Sequence, residues 1–296
     1  MAHHMTEFER EKKIKNLLSK YNFLNHGIVG QSHCKRNIEF LSLGNFENSV
    51  LWACAFHGME WITSLVVLKF LENICNNIKL KNKIFGIDIE KNLKNRGLVI
   101  IPCVNPDGVE ISLNGYKSAN EEFQNLVKKA SNIHTFSWQA NAAGVDINHN
   151  FNAGWNELKK LEIENKILEP SATRFGGTKP ESEPETKALV DFCRKNKFLY
   201  AIAFHSQGEE IYWKYGKNIP ENSYRLAKLF SITSGYKLSS PEGLAVGGGF
   251  KDWFITEFNR PAFTIEIGVG KNPLPISQLY PIYNKIYKML LSSLLI

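Results

Sequence analysis

The chain has 296 residues, 43% of them hydrophobic, and a formal net charge of +7 at pH 7. This length and composition can furnish a substantial core in one large α/β domain or two small ones, and they exclude an intrinsically disordered chain. The lysines are spread through polar segments without interleaved aromatic residues or a recognisable motif, so we expect no nucleic-acid partner, and the positive charge favours an acidic substrate.

The ends of the chain and its cysteines bear on its location. Residues 1–5 are interpreted as the remnant of an expression tag, so the two histidines among them are not counted as metal ligands. No basic-then-apolar secretory signal and no apolar segment of membrane-spanning length is present. The five cysteines are odd in number and show no CxxC spacing, which is typical of reduced thiols. We therefore expect a cytoplasmic protein without a membrane span; export without a recognisable signal and the oligomeric state stay open.

Hydrophobic periodicity predicts alternating helices and strands. An amphipathic helix is expected over 6–21, and residues 37–56 are consistent with two neighbouring strands joined by a turn after Gly44. The further predicted elements are helices over 61–74, 121–129, 222–234 and 251–258, a helix after Ser182, strands over 97–104 and 211–216, and a closing helix from 276. Residues 108–144 are otherwise polar and irregular. No repeat, linker or low-complexity block interrupts the chain, so residues 6–296 are expected to form a single domain.

Three apolar runs each end at a residue that can bind a metal. The runs and the residues that follow them are 51–56 with His57, 198–204 with His205, and 263–265 with Glu266. Glu60 follows His57 by three positions, within one helical turn. Because ligand sites in open α/β sheets lie at the carboxyl ends of strands, we expect these four side chains to lie together. A single such ending is adequately explained as a hydrogen-bonded loop residue, whereas three indicate a site.

The residue types in this pattern indicate a catalytic zinc ion. Two imidazoles and one carboxylate are zinc ligands that leave a fourth position open for water. The natural ligand set is His57, Glu60 and His205, which leaves Glu266 outside the metal shell as the general base for the zinc-bound water. The spacing alone also permits Glu60 and Glu266 to exchange roles. The HExxH arrangement of single-helix metalloproteases is absent.

Five motifs occur in this order across most of the chain: HGME, NPDG, GVDINHNF, the HS at His205, and TIEIG. Together they resemble the zinc carboxypeptidase family. The resemblance implies a single-domain α/β/α sandwich with a mixed, mainly parallel sheet of about eight strands. It also implies one zinc ion held by His57, Glu60 and His205, with Glu266 as the general base.

Within that family, three segments most resemble bacterial γ-D-glutamyl-L-diamino acid peptidases, which cut peptidoglycan stem peptides. The segments are HSQGEEIYW, GGGFKDWF and FGGTKPESEPET. The resemblance implies a muropeptide substrate cut at the bond between γ-D-glutamate and a diamino acid such as meso-diaminopimelate. The preferred diamino acid, and the choice between endopeptidase and carboxypeptidase action, stay open.

Several positions that would contact substrate depart from the family pattern. Asn148 and His149 stand where the family carries an Asn-Arg pair that grips a terminal carboxylate, and Gln139 stands near the family's oxyanion-stabilising arginine. Neutral histidine cannot supply the forked, permanently charged clamp of arginine. The departures favour recognition of a different peptide end or internal cleavage. Arg174 is a candidate carboxylate binder and Asp252 a candidate partner for a zinc ligand or a substrate ammonium, against the simpler alternatives of a surface arginine and a helix N-terminal acid.

Three functions are compatible with these residues. The first is a zinc peptidase for a cell-wall-derived peptide that contains D-glutamate and a diamino acid. The second is a zinc carboxypeptidase on other peptides or a deacylase on a small amide, because the same site serves any carbonyl hydrolysis. The third is a peptide-binding protein that has lost turnover, which the missing arginines would suggest. Retention of all three ligands and the base argues against the third.

Overall fold

The computed structural model describes residues 4–131, 134–217 and 219–296. Within these ranges the chain forms one eight-stranded sheet with helices around it. The strands are β1 (Asn25–Gln31), β2 (Asn37–Gly44), β3 (Ser49–Cys54), β4 (Gly97–Ile101), β5 (Ala201–His205), β6 (Glu210–Tyr212), β7 (Lys237–Ser239) and β8 (Ala262–Glu266). The helices are α1 (Glu7–Lys20), α2 (Ile62–Lys79), α3 (Ile89–Leu93), α4 (Pro106–Asn114), α5 (Glu121–Ala130), α6 (Trp155–Glu164), α7 (Pro184–Lys195), α8 (Ser223–Ser234), α9 (Phe250–Phe258) and α10 (Leu279–Leu295).

The sheet is mixed, with strand order β1-β2-β4-β3-β5-β8-β6-β7. Its parallel pairs are β3–β4, β3–β5, β5–β8 and β6–β7. This confirms the expected mixed, mainly parallel sheet. The prediction that the strands of residues 37–56 are neighbours was wrong, because β4 lies between β2 and β3 and pairs with both. Local patterns cannot indicate such an insertion, since β4 comes from about fifty residues further along the chain.

Helices cover both faces of the sheet, as the side-chain alternation of its central strands requires. In β3, Trp52 packs on one face against a cluster that includes side chains of α1, α2, α8 and α10. Leu51 packs on the opposite face with side chains of α7 and α9. Full burial of a side chain such as Leu51 contributes roughly 1.5–3 kcal/mol, so the strand is held strongly from both sides. The α/β/α arrangement of the expected fold is therefore present.

Local signals explain where several helices begin. The Thr6 side chain caps α1 by accepting from the Glu9 N–H, and Asn105 caps α4 by accepting from the Gly108 N–H, with Pro106 in the first turn. Helix α4 corrects the prediction that residues 108–144 are irregular apart from one helix. The first seven residues of this helix, 106–112, are all buried. None of the described helices combines the length and the apolarity that crossing a membrane requires.

Candidate active site

The carboxyl ends of three central strands meet at one edge of the sheet. In the parallel pair β5 and β8, His205 and Glu266 are register partners at the last position of each strand. Strand β3 lies on the other side of β5 and ends three residues before His57. Ala55 adopts a φ of 51°, which turns the chain out of the strand, and its N–H donates to Thr63 Oγ1 at 3.0 Å. The fold therefore brings two histidines and a glutamate together.

The NPDG motif fixes the backbone around His57. The amide of Asn105 donates to the carbonyl oxygen of Phe56 at 3.0 Å, just before the histidine. A Cβ atom at Gly58, just after it, would lie 2.2 Å from the carbonyl oxygen of Gly108. This close approach leaves room only for glycine. Two motifs that begin 48 residues apart, at His57 and Asn105, thus hold one turn in place.

Glu60 lies between the two histidines. Its Oε1 is 2.8 Å from His57 Nδ1 and its Oε2 is 3.0 Å from His205 Nδ1. Ligand atoms of all three residues lie within 4.8 Å of one another. Two imidazole nitrogens and a carboxylate match the donor set of a zinc site that keeps one position open. A cation between them would replace the two hydrogen bonds with ligand bonds, so these residues fit a zinc ion.

Asp146 lies beside His57 at the wall of the cavity, and local patterns did not predict a role for it. Its Oδ1 is 3.1 Å from His57 Nε2 and accepts from the Asn148 N–H at 3.1 Å, while Oδ2 accepts from the Arg174 N–H at 3.1 Å. If a metal displaced the proton of Nδ1, the Asp146 carboxylate would keep the remaining ring proton on Nε2 and so hold the ring in place for ligation through Nδ1. The signal was present in the sequence, since Asp146 lies within the GVDINHNF motif.

His205, unlike His57, has a carboxylate on only one of its two ring nitrogens, and its ring is also held by packing. Its ring stacks on Phe56 with the centroids 5.1 Å apart and 21° between the planes. Its Nε2 is buried and has no hydrogen-bond partner among the described residues. The only hydrogen bond that the ring makes within those residues is thus the one from Nδ1 to Glu60. Within the described residues, the buried ring therefore makes its hydrogen bond to another potential metal ligand, Glu60.

The charges of these residues are strongly coupled. Burial opposes the charged form of the His57 imidazole, but the Glu60 and Asp146 carboxylates outweigh it and raise the pKa of His57 well above its usual value. Burial likewise opposes ionisation of Glu60, but His57 and His205 lower its pKa to about 2. Burial and the neighbouring Glu60 charge raise the pKa of Glu266 well above its ordinary value. A general base must be ionised, so Glu266 would need a nearby cation to act as one, and a divalent metal would supply it.

A cavity of about 400 Å³ opens in front of this group. Its lining includes His57, His205 and Glu266, whereas Glu60 lies buried behind them. All the residues that the sequence suggested for substrate binding also line it, namely Gln139, Asn148, His149 and Arg174. The structure thus gathers the predicted site residues around one cavity. The roles of the individual residues stay predictions.

Gln139 and Asn148 present side-chain amides at the cavity. Oε1 of Gln139 accepts from the Thr173 hydroxyl, so its amide nitrogen remains available as a donor. Oδ1 of Asn148 accepts from the Phe250 N–H at 3.0 Å, so the amide nitrogen of Asn148 is also available as a donor. Both residues can therefore donate hydrogen bonds to a substrate oxygen, although neither carries a charge.

His149 and Arg174 are joined through the backbone. His149 Nδ1 lies 2.9 Å from the Arg174 carbonyl oxygen and 3.4 Å from Glu162 Oε1. Both neighbours are acceptors, so Nδ1 carries a proton and Nε2 is the nitrogen left for other contacts. The Arg174 side chain is exposed and forms no salt bridge with the described residues. Arg174 is therefore more accessible at this cavity than the cation of Lys251, which is buried.

Three further residues line the cavity, namely Tyr212, Lys251 and Asp252. Tyr212 was not assigned a role from the sequence, and neither was Lys251, because local patterns predict only a strand and a helix there. Asp252 lines the cavity as well, but it forms an ion pair with Lys251 and accepts from the Gly247 N–H at 2.9 Å. Among the described contacts it reaches no candidate zinc ligand, so the role considered for it as the partner of a zinc ligand is wrong.

A second group of potential ligands lies outside the cavity. It consists of His33, Glu183 and Glu185. His33 Nε2 is 2.8 Å from Glu183 Oε2, and Asn141 donates to Glu183 at 2.7 Å and to Glu185 at 3.2 Å. These contacts join the loop after β1 to the first turn of α7. The group is accounted for as a buried hydrogen-bond network.

Comparison with known proteins places the chain in a family. The model of the zinc carboxypeptidase family matches residues 10–288. Gamma-D-glutamyl-L-diamino acid endopeptidase 1 of Lysinibacillus sphaericus is 36% identical over 284 residues, which cover 95% of this chain and 70% of that protein.

Two solved structures share the fold. Bovine thrombin-activatable fibrinolysis inhibitor in complex with tick carboxypeptidase inhibitor gives a TM-score of 0.75 at 21% identity, covering 99% of this chain and 96% of that one. Murein-tripeptide amidase MpaA from Escherichia coli O157 gives a TM-score of 0.53 at 19% identity, covering 91% of each chain. The chain belongs to the zinc carboxypeptidase family, whose members bind one zinc ion, and it is a metallopeptidase.

Proposed function

We propose that this metallopeptidase hydrolyses the bond between γ-D-glutamate and a diamino acid in peptidoglycan stem peptides. The observation that carries the proposal is the 36% identity, over 95% of this chain, to an endopeptidase named for that bond. The cavity is consistent with the proposal. By the motif resemblance, His149 and Gln139 occupy positions at which the family carries arginines; both line the cavity, where Arg174 is an exposed cation. A substrate with carboxylates in other places would suit this arrangement.

In this proposal, His57, Glu60 and His205 hold the zinc ion. When bound, zinc polarises the substrate carbonyl and makes water a better nucleophile. Asp146 keeps the His57 ring oriented, with its proton on Nε2. Phe56 keeps the plane of the His205 ring. The protein thereby holds the ligand atoms in place before any metal arrives, which reduces the cost of ordering them.

Glu266 is proposed to move the proton. Its carboxylate accepts a proton from the attacking water and then donates it to the nitrogen of the leaving diamino acid. Its place at the end of β8, beside His205 and facing the cavity, suits both transfers. The amide of Gln139 donates to the carbonyl oxygen, where negative charge develops, and the Arg174 guanidinium binds a substrate carboxylate.

A peptide panel tests the proposal. The zinc-loaded chain is incubated with L-Ala-γ-D-Glu-meso-diaminopimelate, with its α-linked L-Glu isomer, and with an N-acylated dipeptide, and products are identified by mass spectrometry. We expect free diaminopimelate from the first peptide and no hydrolysis after chelation. Cleavage of the α-linked peptide alone would indicate a carboxypeptidase on other peptides. Cleavage of the acylated dipeptide alone would indicate a deacylase, and bound zinc without any cleavage would indicate a binding protein.

A further inference from the structure

The segment between α2 and β4 contains a tight turn with an aromatic residue at its tip. Ile84 and Ile87 exchange both backbone hydrogen bonds, at 3.0 and 2.9 Å, which leaves Phe85 and Gly86 as a two-residue loop. Both loop residues have positive φ angles, 49° for Phe85 and 79° for Gly86. Loops of this kind favour asparagine or glycine, because a bulky side chain is strained at positive φ. A phenylalanine is therefore an unusual residue at the first loop position.

The Phe85 ring is largely exposed to solvent. It is 67% exposed, and its aromatic contact is with the edge of Tyr287, with the ring centroids 6.4 Å apart. Leu80, at the end of α2 and five residues earlier, is 59% exposed. Single exposed apolar side chains are common on protein surfaces. An aromatic residue that is both strained and exposed, with a second apolar residue close by in the chain, indicates a contact outside this chain.

Cations surround this turn. Residues 79–96 contain six lysines and arginines but only two acidic residues. None of the six forms a salt bridge with a residue that the structure describes. Lys288 of α10 adds a further exposed cation, whose Nζ lies 6.0 Å from the centroid of the Phe85 ring. Exposed apolar side chains among unpaired cations are typical of surfaces that lie on anionic lipid headgroups.

The turn lies at the edge of the sheet opposite the active site. Helix α2 begins two residues after Glu60 and spans 18 residues, about 27 Å, so the segment that follows it reaches the edge where β4 begins. Strands β3, β5 and β8 are parallel to β4 and begin at the same edge. The segments just before these four strands carry five basic side chains and one acidic one, and they are residues 45–48, 94–96, 195–200 and 259–261. The whole edge is therefore positively charged.

We propose that residues 79–96, together with Lys288, form a docking surface for an anionic lipid membrane. Phe85 and Leu80 enter the headgroup region, and the surrounding cations bind the lipid phosphates. An exposed aliphatic side chain favours lipid over a nucleic acid or an anionic wall polymer, because only lipid offers acyl chains to bury it. The active-site cavity opens at the opposite edge, so docking leaves it facing away from the membrane. This inference goes beyond the proposed function and does not depend on it.

Vesicle sedimentation tests the docking. The full chain is mixed with vesicles of phosphatidylcholine alone, or of phosphatidylcholine with an equal part of phosphatidylglycerol, and the bound fraction is measured. We expect at least about tenfold tighter binding to the anionic vesicles, and its loss at high salt, which screens exposed charges. Equal binding to both vesicles, or binding to neither, would overturn the inference.

Two other occupants are outcomes of the same test. Binding of soluble polyphosphate without binding of vesicles would assign the surface to an anionic polymer. Self-association in sedimentation velocity without binding of vesicles would assign it to a second copy of the chain. Either result would overturn the membrane inference.

Phe85→Asn removes the ring without disturbing the turn, because asparagine suits positive φ. The variant should keep its stability to denaturant, yet bind anionic vesicles about fivefold or more weakly. Phe136→Asn is the matched control, since Phe136 is 61% exposed but lies three residues before Gln139, which lines the active-site cavity. The control should bind like the unsubstituted chain. Unchanged vesicle binding by Phe85→Asn would overturn the inference.

The double variant Lys81→Glu with Lys83→Glu tests the role of charge at this surface. It should weaken binding to anionic vesicles by about tenfold or more, since each cation near a charged membrane adds to the attraction. Lys117→Glu with Lys128→Glu is the control, because it changes the net charge by the same amount at exposed positions after α4. We expect a much smaller loss in the control. Equal losses in the two double variants would show that net charge alone attracts the vesicles and would overturn the inference.

Discussion

His205 and Glu266 are paired residues at the ends of adjacent parallel strands, and the N–H of Ile267 donates to the His205 carbonyl oxygen at 2.8 Å. The register of β5 and β8 therefore sets the position of the candidate base relative to a candidate metal ligand. A slip of one residue would turn every side chain of a strand to the other face. Both strands are buried, which resists such a slip.

Glu266→Gln should retain zinc and lose nearly all turnover. The residue lies outside the group formed by His57, Glu60 and His205, and an amide cannot accept the proton from water. We expect kcat to fall by about 10²–10⁴-fold, the range for loss of a general base. Zinc content by mass spectrometry and kcat on the γ-D-glutamyl peptide provide the measurement. Loss of the metal in this variant would mean that Glu60 and Glu266 have exchanged roles.

Asp146→Asn should weaken zinc binding while the fold persists. The carboxylate holds the His57 ring through Nε2, and an outer residue of this kind changes metal affinity by about 10–100-fold. A competition titration with a chromophoric chelator measures the affinity. Asp252→Asn is a suitable control, because Asp252 is also buried at the cavity but contacts no candidate ligand. Equal zinc affinity in the Asp146 variant and the unsubstituted chain would refute this positioning role.

Arg174→Ala should raise the KM for a muropeptide and leave kcat nearly unchanged. The guanidinium is exposed at the cavity, whereas its backbone makes the contacts with Asp146 and His149. Loss of a charge-assisted contact made equally in the ground and transition states should raise KM by about tenfold. Arg194→Ala removes an arginine that lies outside the cavity and serves as the control. An unchanged KM would leave Arg174 as a surface residue.

The buried network of His33, Glu183 and Glu185 should make stability depend on pH. Burial raises the pKa of Glu185 to about 7, with the nearby Asp107 and Glu183 charges adding to the rise and His33 opposing it. Because the folded state favours the protonated carboxyl, this contribution is complete below about pH 4.5 and is lost as the pH rises towards 7. Burial opposes the charged form of His33, but Glu183 and Glu185 outweigh it and raise the pKa of His33. The stability that this histidine contributes is therefore also lost as the pH rises.

Glu185→Gln should therefore flatten the pH profile of the free energy of unfolding. Between pH 5 and 8 the unsubstituted chain should lose about 1–3 kcal/mol more than the variant. Denaturant melts at several pH values give the comparison. A variant profile that runs parallel to the original would show that Glu185 does not titrate in this range.

Much of the site could be predicted because it follows from local patterns. Apolar runs predicted the strands that end near His57, at His205 and at Glu266, and the general rule for α/β sheets predicted that their ends would meet. The structure places these side chains together. Local patterns could not predict contacts between distant segments, such as that of Asp146 with His57, which are 89 positions apart in the sequence.

Other features had weak or misleading signals. Strand β1 contains two glycines and several exposed positions, so it lacks the alternation that identifies a half-buried strand. Helix α4 begins within a motif of turn-forming residues, which also suit a helix cap. The order of β2, β4 and β3 depends on long-range pairing. The position of Lys251 at the cavity depends on how α9 packs against the sheet, and hydrophobic periodicity does not predict that packing.

A zinc titration of metal-free protein tests most directly whether one zinc ion per chain is required for hydrolysis. Release of the diamino acid from L-Ala-γ-D-Glu-meso-diaminopimelate is followed as zinc is added. We predict activity that is absent at the start, rises in proportion to zinc and reaches its plateau at about one equivalent per chain, as expected for one three-ligand site. Hydrolysis without metal, a plateau at two or more equivalents, or no hydrolysis at saturating zinc would contradict it.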